Sequence, residues 1–454
     1  MNPSYNITVT FTASKTLILP ASARLETNQD MTEVIFGTAA SSCFVEFQEL
    51  NGAIKISKDL MDDLRLPLGK TQLILHKNTV YLGPLIGIFT AGFTGSILRP
   101  IGNRSLFFAK YLTAQKSAGL FAYVFGAHLI DWETGIVNGF TFDDDGWRQF
   151  KIPLPNVVYD RLPNREIEEH HALKMVKRRL RTEYGIPWFN PGFFDKWTIH
   201  QLLLPHAETA LYLPETKLAP SKEEIEEMLN RHNSVYLKPR NGSLGLGVFQ
   251  LIYSPDEQTY YCRYRSDQEE NILRKYRSLD QFFMYSFGNR KMDDYLLQER
   301  IKLIRIDQQQ IDFRVHTNKD SQGRFHVTAI AAKMAGKGSV TTHVDNGGMI
   351  KTLEELFEQE DERNQAFHSL TLAALVLSEK IDQSIDGFIG EIGFDLGIDS
   401  CKNVWLFEAN SKPGRSIFSH PALKEEDLHS RKLSLQYALY LTKIAIEEPE
   451  ALYE

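Results

Sequence analysis

Short runs of apolar and β-branched residues, broken by glycine and proline, dominate the first part of the chain. They include TLIL at residues 16–19, IKIS at 54–57 and TQLILHKNTVYL at 71–82. Runs of this length and composition, bounded by turn residues, predict strands. We therefore expect a small β-rich N-terminal domain over residues 1–95, and the sequence shows no chemistry in it.

Strand and helix patterns alternate in the next part of the chain, residues 96–190. The apolar runs LFAYVFGAHLI (120–130) and PNVVYDRL (155–162) are separated by helical stretches. The longest helical stretch begins at Asn164 and ends before Gly185. This alternation predicts an α/β module.

Strand patterns dominate residues 234–350, and two helices are predicted after them. Apolar residues from Phe367 to Ile381 recur at helical spacing, and a C-terminal helix is expected over residues 423–447. A pair of apolar strands lies between these helices.

Composition and charge limit the class of protein. The 454 residues are 43% hydrophobic and 24% charged, with a net charge of −7, which is typical of a soluble globular protein and gives no global sign of nucleic-acid binding. The cysteines Cys43, Cys262 and Cys401 are too far apart for a disulfide framework or a CxxC metal site, so a reducing cytosol is the simplest location. No signal-peptide pattern begins the chain. The uncharged run at 78–98 contains Pro84 and several glycines, which favours a buried strand and loop over a membrane span.

A glycine-rich stretch, YLKPRNGSLGLGV at residues 236–248, lies between two strand patterns. Gly242, Gly245 and Gly247 follow the order GxxGxG and lead into a strand, so neither the P-loop nor the dinucleotide fingerprint matches. The pattern instead predicts a hairpin whose tip folds over a phosphate, because glycines let backbone N–H groups approach an anion. Lys238 would stand at the base of this flap. A glycine-rich hairpin without a ligand is the alternative.

Two apolar strands near the C-terminal end carry polar oxygen-bearing side chains. Asp395 lies on the first strand, and Glu408 and Asn410 lie on the second. Residues two apart on a strand share a face, and a hairpin would bring Asp395 beside them. Two carboxylates and an amide oxygen form a hard site suited to Mg²⁺, and Glu408 could bridge two ions. The alternative is a pair of acids at a sheet edge that lysines or water satisfy.

The order of these motifs resembles the ATP-grasp superfamily of ATP-dependent ligases: a lysine before a glycine-rich hairpin, then an acid, then Glu-x-Asn followed by Pro-Gly. A more specific resemblance is to the YheC/YheD family of spore-coat-associated ATP-grasp proteins of spore-forming bacteria. The motifs that carry it are PLPNVVYDRLPNR (153–165), FFDKW (193–197), YLKPRNGSLGLGV (236–248), DFRVHTNKD (312–320) and EIGFDLGID (391–399).

The resemblance implies a multidomain α+β / α/β fold. An ATP-grasp domain of two lobes, with the nucleotide between them, would occupy residues 191–450. An α/β pre-ATP-grasp module (96–190) and the β-rich N-terminal domain (1–95) would precede it.

The resemblance also implies nucleotide-binding roles on both lobes. Lysines would contact the phosphates, the glycine loop would cover them, the strand YLLQERI would contact the adenine edge, and an acid would hold the ribose. For Lys196 the alternative is a surface lysine after a helix N-cap. The nucleotide-binding residues implied in this way are Lys196, Lys238, Gly242, Ser243, Gly245, Gly247, Gln298, Glu299, Ile301 and Asp307.

Catalytic roles are implied for three cationic residues. Arg314 would place its guanidinium on the transferring phosphoryl group or acyl phosphate, unless it forms a structural pair with Asp312. Lys333 corresponds to a basic phosphate-contacting position at which related sequences often have arginine. Arg415 could bind a substrate carboxylate or be a solvent-facing loop residue. The three oxygen ligands named above would hold one or two Mg²⁺ ions, with Mn²⁺ as a substitute.

The chemistry implied by the resemblance is an ATP-dependent ligation. ATP phosphorylates a carboxylate of an amino acid or peptide, and an amine then attacks the acyl phosphate, which forms a C–N bond and releases ADP and phosphate. A nucleotide-binding or structural spore-coat protein without turnover is the alternative. RNA binding through the basic residues at 174–181 is a third class, although an exposed basic helix face is preferred there. We expect no nucleic-acid or membrane partner, other coat proteins as partners, and a location in the cytoplasm or the spore coat.

Overall fold

The computed structural model describes residues 3–11, 14–26, 30–242, 246–266, 270–306, 309–334 and 348–452. Within these ranges the chain forms four sheets with helices packed on them. This is the mixed α/β multidomain architecture expected from the sequence.

The first sheet uses the N-terminal strands predicted from the apolar runs. They pair in the order β4-β3-β8-β7-β1-β6-β2-β5. A helix that the sequence patterns did not predict, α1 (Lys58–Leu64), buries Leu60 and Leu64 in the core. The strands are β1 (Ser4–Thr10), β2 (Thr16–Pro20), β3 (Glu33–Phe36), β4 (Ala39–Ser42), β5 (Phe44–Gln48), β6 (Ala53–Ser57), β7 (Lys70–His76) and β8 (Thr79–Gly83).

The second sheet forms the core of the α/β module. Its order is β11-β12-β10-β9-β14-β15, with β13 paired to β12, and β10, β9, β14 and β15 run parallel. The strands are β9 (Leu85–Phe89), β10 (Phe121–Phe125), β11 (Ile130–Asp131), β12 (Ile136–Asp143), β13 (Gly146–Pro153), β14 (Val157–Asp160) and β15 (Trp188–Phe189). Strand β9 is buried throughout, as expected for a parallel strand covered on both faces. This sheet therefore begins before residue 96.

Helices α2 (Ser105–Ala118), α3 (Arg165–Glu168) and α4 (His171–Thr182) belong to the same module. The single helix predicted between Asn164 and Gly185 is in fact two helices. Its first turn is capped by Asn164, whose side chain accepts from the Ile167 N–H, and the chain then leaves helical geometry at His170 (ψ 126°). Helix α4 buries Val176 and Leu180, and its basic residues lie on the remaining faces.

The third sheet is antiparallel and contains the predicted glycine-rich hairpin. Its order is β16-β21-β17-β18-β19-β20. The strands are β16 (Thr216–Leu218), β17 (Ser234–Pro239), β18 (Phe249–Ser254), β19 (Thr259–Arg265), β20 (Asn271–Tyr276) and β21 (Tyr295–Glu299). Helices α7 (Lys222–His232) and α8 (Leu279–Phe282) pack on this sheet, whereas α5 (Lys196–Leu203) and α6 (Ala207–Ala210) pack against helix α10 (Glu360–Ser384), beside the fourth sheet. Helix α7 starts with a capping box at Ser221 and buries Ile225 and Leu229.

The fourth sheet has the order β25-β24-β23-β26-β27, with β22 paired to β23. The strands are β22 (Arg305–Ile306), β23 (Gln309–Lys319), β24 (Phe325–Met334), β25 (Met349–Lys351), β26 (Glu391–Ile398) and β27 (Val404–Asn410). Helices α9 (Leu353–Leu356), α10 (Glu360–Ser384) and α11 (Lys424–Glu447) complete the chain, and α11 matches the predicted C-terminal helix. Among the described residues, none of the helices combines the length and apolar character needed to cross a membrane.

Buried polar contacts join the α/β module to the fourth sheet. Asn190, in left-handed geometry (φ 54°), donates its backbone N–H to the Phe388 carbonyl at 2.7 Å. Lys412, whose side chain is 2% exposed, binds Asp160 Oδ1 at 2.6 Å and Glu168 Oε1 at 2.7 Å. Because a buried charge is costly without its partner, these contacts fix the module against the sheet.

Candidate active site

The hairpin of β26 and β27 places the three predicted oxygen ligands on neighbouring positions. Asp395 pairs with Glu408, and Gly393 pairs with Asn410. A β-bulge between Asp395 and Leu396 shifts the register of the two strands at this point. Glu408 and Asn410, two residues apart, share the face opposite the core. The sequence therefore predicted this juxtaposition correctly.

Asp395 lies at the centre of a buried ion-pair network. Its carboxylate accepts from Arg314 Nε at 2.7 Å and Nη2 at 3.1 Å, and from Lys333 Nζ at 2.9 Å. Lys333 also lies 3.0 Å from Asp312 Oδ1. Burial alone would raise the pKa of Asp395, but Arg314 and Lys333 outweigh it and hold that pKa well below its ordinary value. The Arg314 guanidinium is therefore bound to Asp395 on the neighbouring strand β26.

The donor set on this hairpin fits a hard cation. Two carboxylates and an amide supply only oxygen, the chemistry that Mg²⁺ prefers. Here Asp395 is neutralised by its two cations, and Glu408 Oε1 lies 3.2 Å from Lys196 Nζ. No cluster of three or more His, Cys, Asp or Glu suited to a metal occurs among the described residues, so such a site would need the amide of Asn410. The role of these residues as metal ligands stays a prediction.

Two lysines face each other across a cleft between two lobes, by which we mean the third sheet with α7 and the fourth sheet with α5 and α10. Lys196, the first residue of α5, follows the N-cap Asp195, and its side chain is 14% exposed. It donates to the Gly242 carbonyl at 2.7 Å, whereas Lys238 donates to Gln298 Oε1. Burial, and then the charge of Lys196, lower the pKa of Lys238 to about 8. Two cations in one cleft favour an anionic ligand, because an anion relieves their repulsion.

The cleft around these lysines is formed by both lobes. Helix α5 and strand β27 line one side, and strands β17 and β21 line the other. Both apolar and polar side chains line it, as expected for a site that takes a base together with phosphates. The lining includes Lys196, Lys238, Leu296, Gln298, Phe407 and Glu408.

The glycine-rich hairpin closes tightly on its own strand. A Cβ at Gly242 would lie 2.6 Å from Pro239 Cγ, and a Cβ at Gly247 (φ +71°) would lie 3.3 Å from the same atom. Both glycines are therefore required by the packing of the hairpin itself. Ser243 and Gly245, at the predicted phosphate-contacting tip, lie outside the described residues.

In strand β21, which was predicted to contact adenine, the side chain of Glu299 points away from the cleft. Glu299 Oε1 accepts from the Glu215 N–H at 2.8 Å, and its Oε2 lies 3.3 Å from His232 Nδ1. The carboxylate is thus held inside its own lobe, on the face opposite Gln298. Ile301 uses its carbonyl within the following loop. Contacts of this strand with adenine stay a prediction, and Asp307 lies outside the described residues.

Arg415 is enclosed by protein instead of facing solvent. Its side chain is 5% exposed, lies 2.8 Å from Asp427 Oδ1 and donates to the Tyr111 hydroxyl at 3.4 Å. The guanidinium stacks on Phe418 at 4.3 Å and lies 3.8 Å from Glu391 Oε2. The role of Arg415 as a carboxylate clamp stays a prediction.

Two buried residues near the site were missed from the sequence. Arg161 forms an ion pair with Glu391 and donates to the Pro413 carbonyl at 3.2 Å. His316 lies on the same face of β23 as Arg314 and is fully buried. Both residues belong to motifs quoted above. Arg161 directly follows a parallel strand, and His316 lies two residues beyond Arg314. These two positions were the features of the sequence from which a role could have been predicted.

Similarity to solved structures covers most of the chain at low sequence identity. D-alanyl-alanine synthetase A from Vibrio cholerae O1 biovar eltor str. N16961 is 14% identical, with a TM-score of 0.45, over 80% of this chain and 99% of that one. A D-alanine–D-alanine ligase from Bacillus anthracis complexed with ATP is 12% identical, with a TM-score of 0.46, over 81% of this chain and 100% of that one.

Sequence relatives are more similar. The endospore coat-associated protein YheD of Bacillus subtilis (strain 168) is 44% identical over 456 residues, which is 100% of both chains. The endospore coat-associated protein YheC of the same organism is 23% identical over 63% of this chain and 78% of its own. A family model described as YheC/D like ATP-grasp matches residues 185–441. The chain therefore belongs to the YheC/D-like ATP-grasp family.

Proposed function

We propose that this protein is an ATP-dependent carboxylate–amine ligase that acts through an acyl phosphate. The observation that carries the proposal is the pair of lysines, Lys196 and Lys238, which face Glu408 in a cleft between two lobes. The cleft offers cations for phosphates, oxygen ligands for a hard metal ion and apolar surface for a base. The membership of the chain in the YheC/D-like ATP-grasp family supports ATP as the substrate.

In the first step a carboxylate oxygen of the substrate attacks the γ-phosphorus of ATP, and the bond to ADP breaks. Lys196 and Lys238 would hold the phosphates, and the Arg314 fork would stabilise charge on the transferring group. Mg²⁺ held by Asp395, Glu408 and Asn410 would neutralise phosphate charge. One or two Mg²⁺ ions, or Mn²⁺, are compatible with these ligands.

Binding of nucleotide would rearrange the charges now paired inside the site. Phosphates would take Lys196 from Glu408, and release of Asp395 to a metal would free Arg314 and Lys333 for the phosphoryl group. The same five side chains would thus exchange partners without an unpaired buried charge at either stage.

In the second step the nitrogen of an amine attacks the carbonyl carbon of the acyl phosphate. The C–N bond forms, phosphate leaves with the electron pair of the C–O bond, and the nitrogen loses a proton. Positioning and exclusion of water supply most of this catalysis, since acyl phosphates hydrolyse easily. The substrates we propose are an amino acid or peptide carboxylate and an amine.

The test is ADP release by the full chain with ATP, Mg²⁺ and mixtures of amino acids or peptides, followed by mass spectrometry of the products. Glu408→Gln should lower turnover by about 100-fold or more, because it removes one charged ligand. Glu358→Gln, which changes an exposed carboxylate outside the cleft, is the matched control. Absence of turnover across broad panels would contradict the proposal.

A second function, nucleotide binding within the spore coat without turnover, is favoured by one observation. Both oxygens of Asp395 are bonded by Arg314, as in a purely structural ion pair. The two Bacillus subtilis relatives are endospore coat-associated proteins, which supports association of this protein with the spore coat. Its partners would then be coat proteins, and it would reach the coat from the cytoplasm. ATP affinity without ADP release in any substrate mixture would identify this function.

A further inference from the structure

The carboxyl-terminal ends of strands β9 and β14 meet at a second polar cluster. Thr90 and Arg161 directly follow these strands, and the Thr90 hydroxyl donates to the Arg161 carbonyl at 2.9 Å. From β9 the chain crosses to β10 on one side, whereas from β14 it crosses to β15 on the other. Open α/β sheets bind ligands at such switch points, outside the carboxyl ends of the strands.

The cluster contains more cations than anions. Arg161 is paired with Glu391, which also lies 3.8 Å from Arg415. Arg415 and Arg431 share the single carboxylate of Asp427, with Arg431 Nε donating at 3.1 Å. Three guanidinium groups, each on a side chain that is 4–5% exposed, therefore surround two carboxylates.

Arg104 adds a fourth guanidinium to this cluster. It donates to the Thr90 hydroxyl at 2.8 Å and to the Arg161 carbonyl at 2.6 Å, and it has no carboxylate partner among the described residues. Its guanidinium stacks on Phe108 at 4.9 Å. Burial and the neighbouring Arg161 lower the pKa of Arg104 to about 10. An excess of two positive charges in a desolvated cluster is costly unless anions join it.

Several polar atoms in the cluster have unused hydrogen-bonding capacity. Within the described part of the chain, neither ring nitrogen of His316 has a hydrogen-bond partner, although the residue is 0% exposed. Glu391 Oε2 and Arg161 Nε likewise lack hydrogen-bond partners among the described atoms. His316 is paired with Gly393 across the strands and lies two residues from Arg314. The cluster is therefore continuous with the face that carries the proposed reaction centre.

We propose that Arg104, Arg161, Arg415 and Arg431 bind carboxylate groups of the substrate other than the carboxylate that is phosphorylated. The substrate class is then an amino acid or peptide with at least two carboxylates. This inference rests on the proposed ligase function for its place in catalysis, but binding of polycarboxylates by the cluster is independent of turnover. A neutral or monoanionic substrate would leave the charge excess uncompensated.

The binding test uses tricarballylate, a simple tricarboxylate, titrated into the full chain by calorimetry at constant ionic strength, with acetate as the monocarboxylate comparison. Arg104→Gln should weaken tricarballylate binding by about 10-fold or more, the value of one charge-assisted hydrogen bond. Arg99→Gln removes the same charge from an exposed position five residues earlier and should leave binding unchanged. Circular dichroism and the melting temperature show whether each variant is folded.

Two outcomes would overturn the inference: tricarballylate that binds no better than acetate, or equal affinities of wild type and Arg104→Gln. If Arg104→Gln fails to fold, Arg431→Lys, which keeps the charge and removes the fork, serves as the second variant and should weaken binding in the same way. ADP release with dicarboxylate and monocarboxylate substrate panels then separates the two proposals. Tricarballylate binding without any turnover would refute the ligase proposal alone.

Discussion

Replacement of Lys238 by methionine is expected to stabilise the unliganded protein while it weakens nucleotide binding. Burial and the charge of Lys196 lower the pKa of Lys238 from 10.5 to about 8. At about 1.4 kcal/mol for each pH unit, keeping this lysine protonated at pH 7 costs the folded state about 3 kcal/mol. Loss of the hydrogen bond to Gln298 offsets about 1–2 kcal/mol of that cost. The free energy of unfolding should therefore rise by about 1–2 kcal/mol.

The sign of the pH dependence follows from the same pKa. Below pH 8 both the folded and the unfolded chain carry the charge, so the full cost is present. Between pH 8 and 10.5 the unfolded lysine binds more protons than the folded one, and wild-type stability rises with pH. Raising the pH from about 7 to about 9.5 should thus reduce the difference in the free energy of unfolding between wild type and Lys238→Met by about 2 kcal/mol.

Urea unfolding followed by tryptophan fluorescence at the two pH values measures this difference, and calorimetry measures the affinity for ATP. Lys222→Met is the matched control, because Lys222 lies on the same lobe, pairs with Asp280 at 2.7 Å and has a raised pKa. It should give no stabilisation at pH 7. A Lys238→Met variant that is no more stable than wild type at pH 7, and that binds ATP equally well, would refute the reasoning.

Three further substitutions test the packing around the site, each by denaturant unfolding. Asp395→Asn leaves two buried cations without their shared anion and should cost about 3–5 kcal/mol; a loss below about 1 kcal/mol would show that the network is not desolvated. Gly393→Ala places a Cβ 2.5 Å from Pro413 Cβ and should cost about 1–3 kcal/mol, whereas a neutral effect would mean that the loop yields freely. Lys412→Met strips Asp160 of its buried cation and should cost about 3–5 kcal/mol, and unchanged stability would contradict the burial of that pair.

The parts of the site that the sequence predicted are local in the chain. Gly242 and Gly247 lie in one hairpin between adjacent strands, and Asp395 and Glu408 lie in another. In each case the alternation of apolar residues fixes the strands and the short connection fixes the pairing. The role of Lys196 came from the resemblance, with a surface lysine after a helix N-cap as the alternative. The architecture of the ATP-grasp region came from the resemblance, which the family match confirms.

The parts that the sequence did not predict depend on contacts between distant segments. Arg161 and Glu391 are 230 positions apart, and no periodicity relates them. Arg415 was expected either to clamp substrate or to face solvent, and the pattern around it gave no sign that Asp427 would enclose it. The orientation of Glu299 depends on the backbone of Glu215, which directly precedes the neighbouring strand β16. Side-chain direction at such positions is set by tertiary packing.

The contact between Lys412 and Asp160 also has a consequence during synthesis. The two residues are 252 positions apart, so Asp160 leaves the ribosome long before its cation has been translated. At about 5–20 residues per second the interval is about 10–50 s. Throughout it Asp160 can accept hydrogen bonds from the Leu162 N–H and from Trp188 Nε1 of its own module, but it lacks the cation that neutralises it when buried. The α/β module therefore gains its full set of native contacts only when the last tenth of the polypeptide is being synthesised.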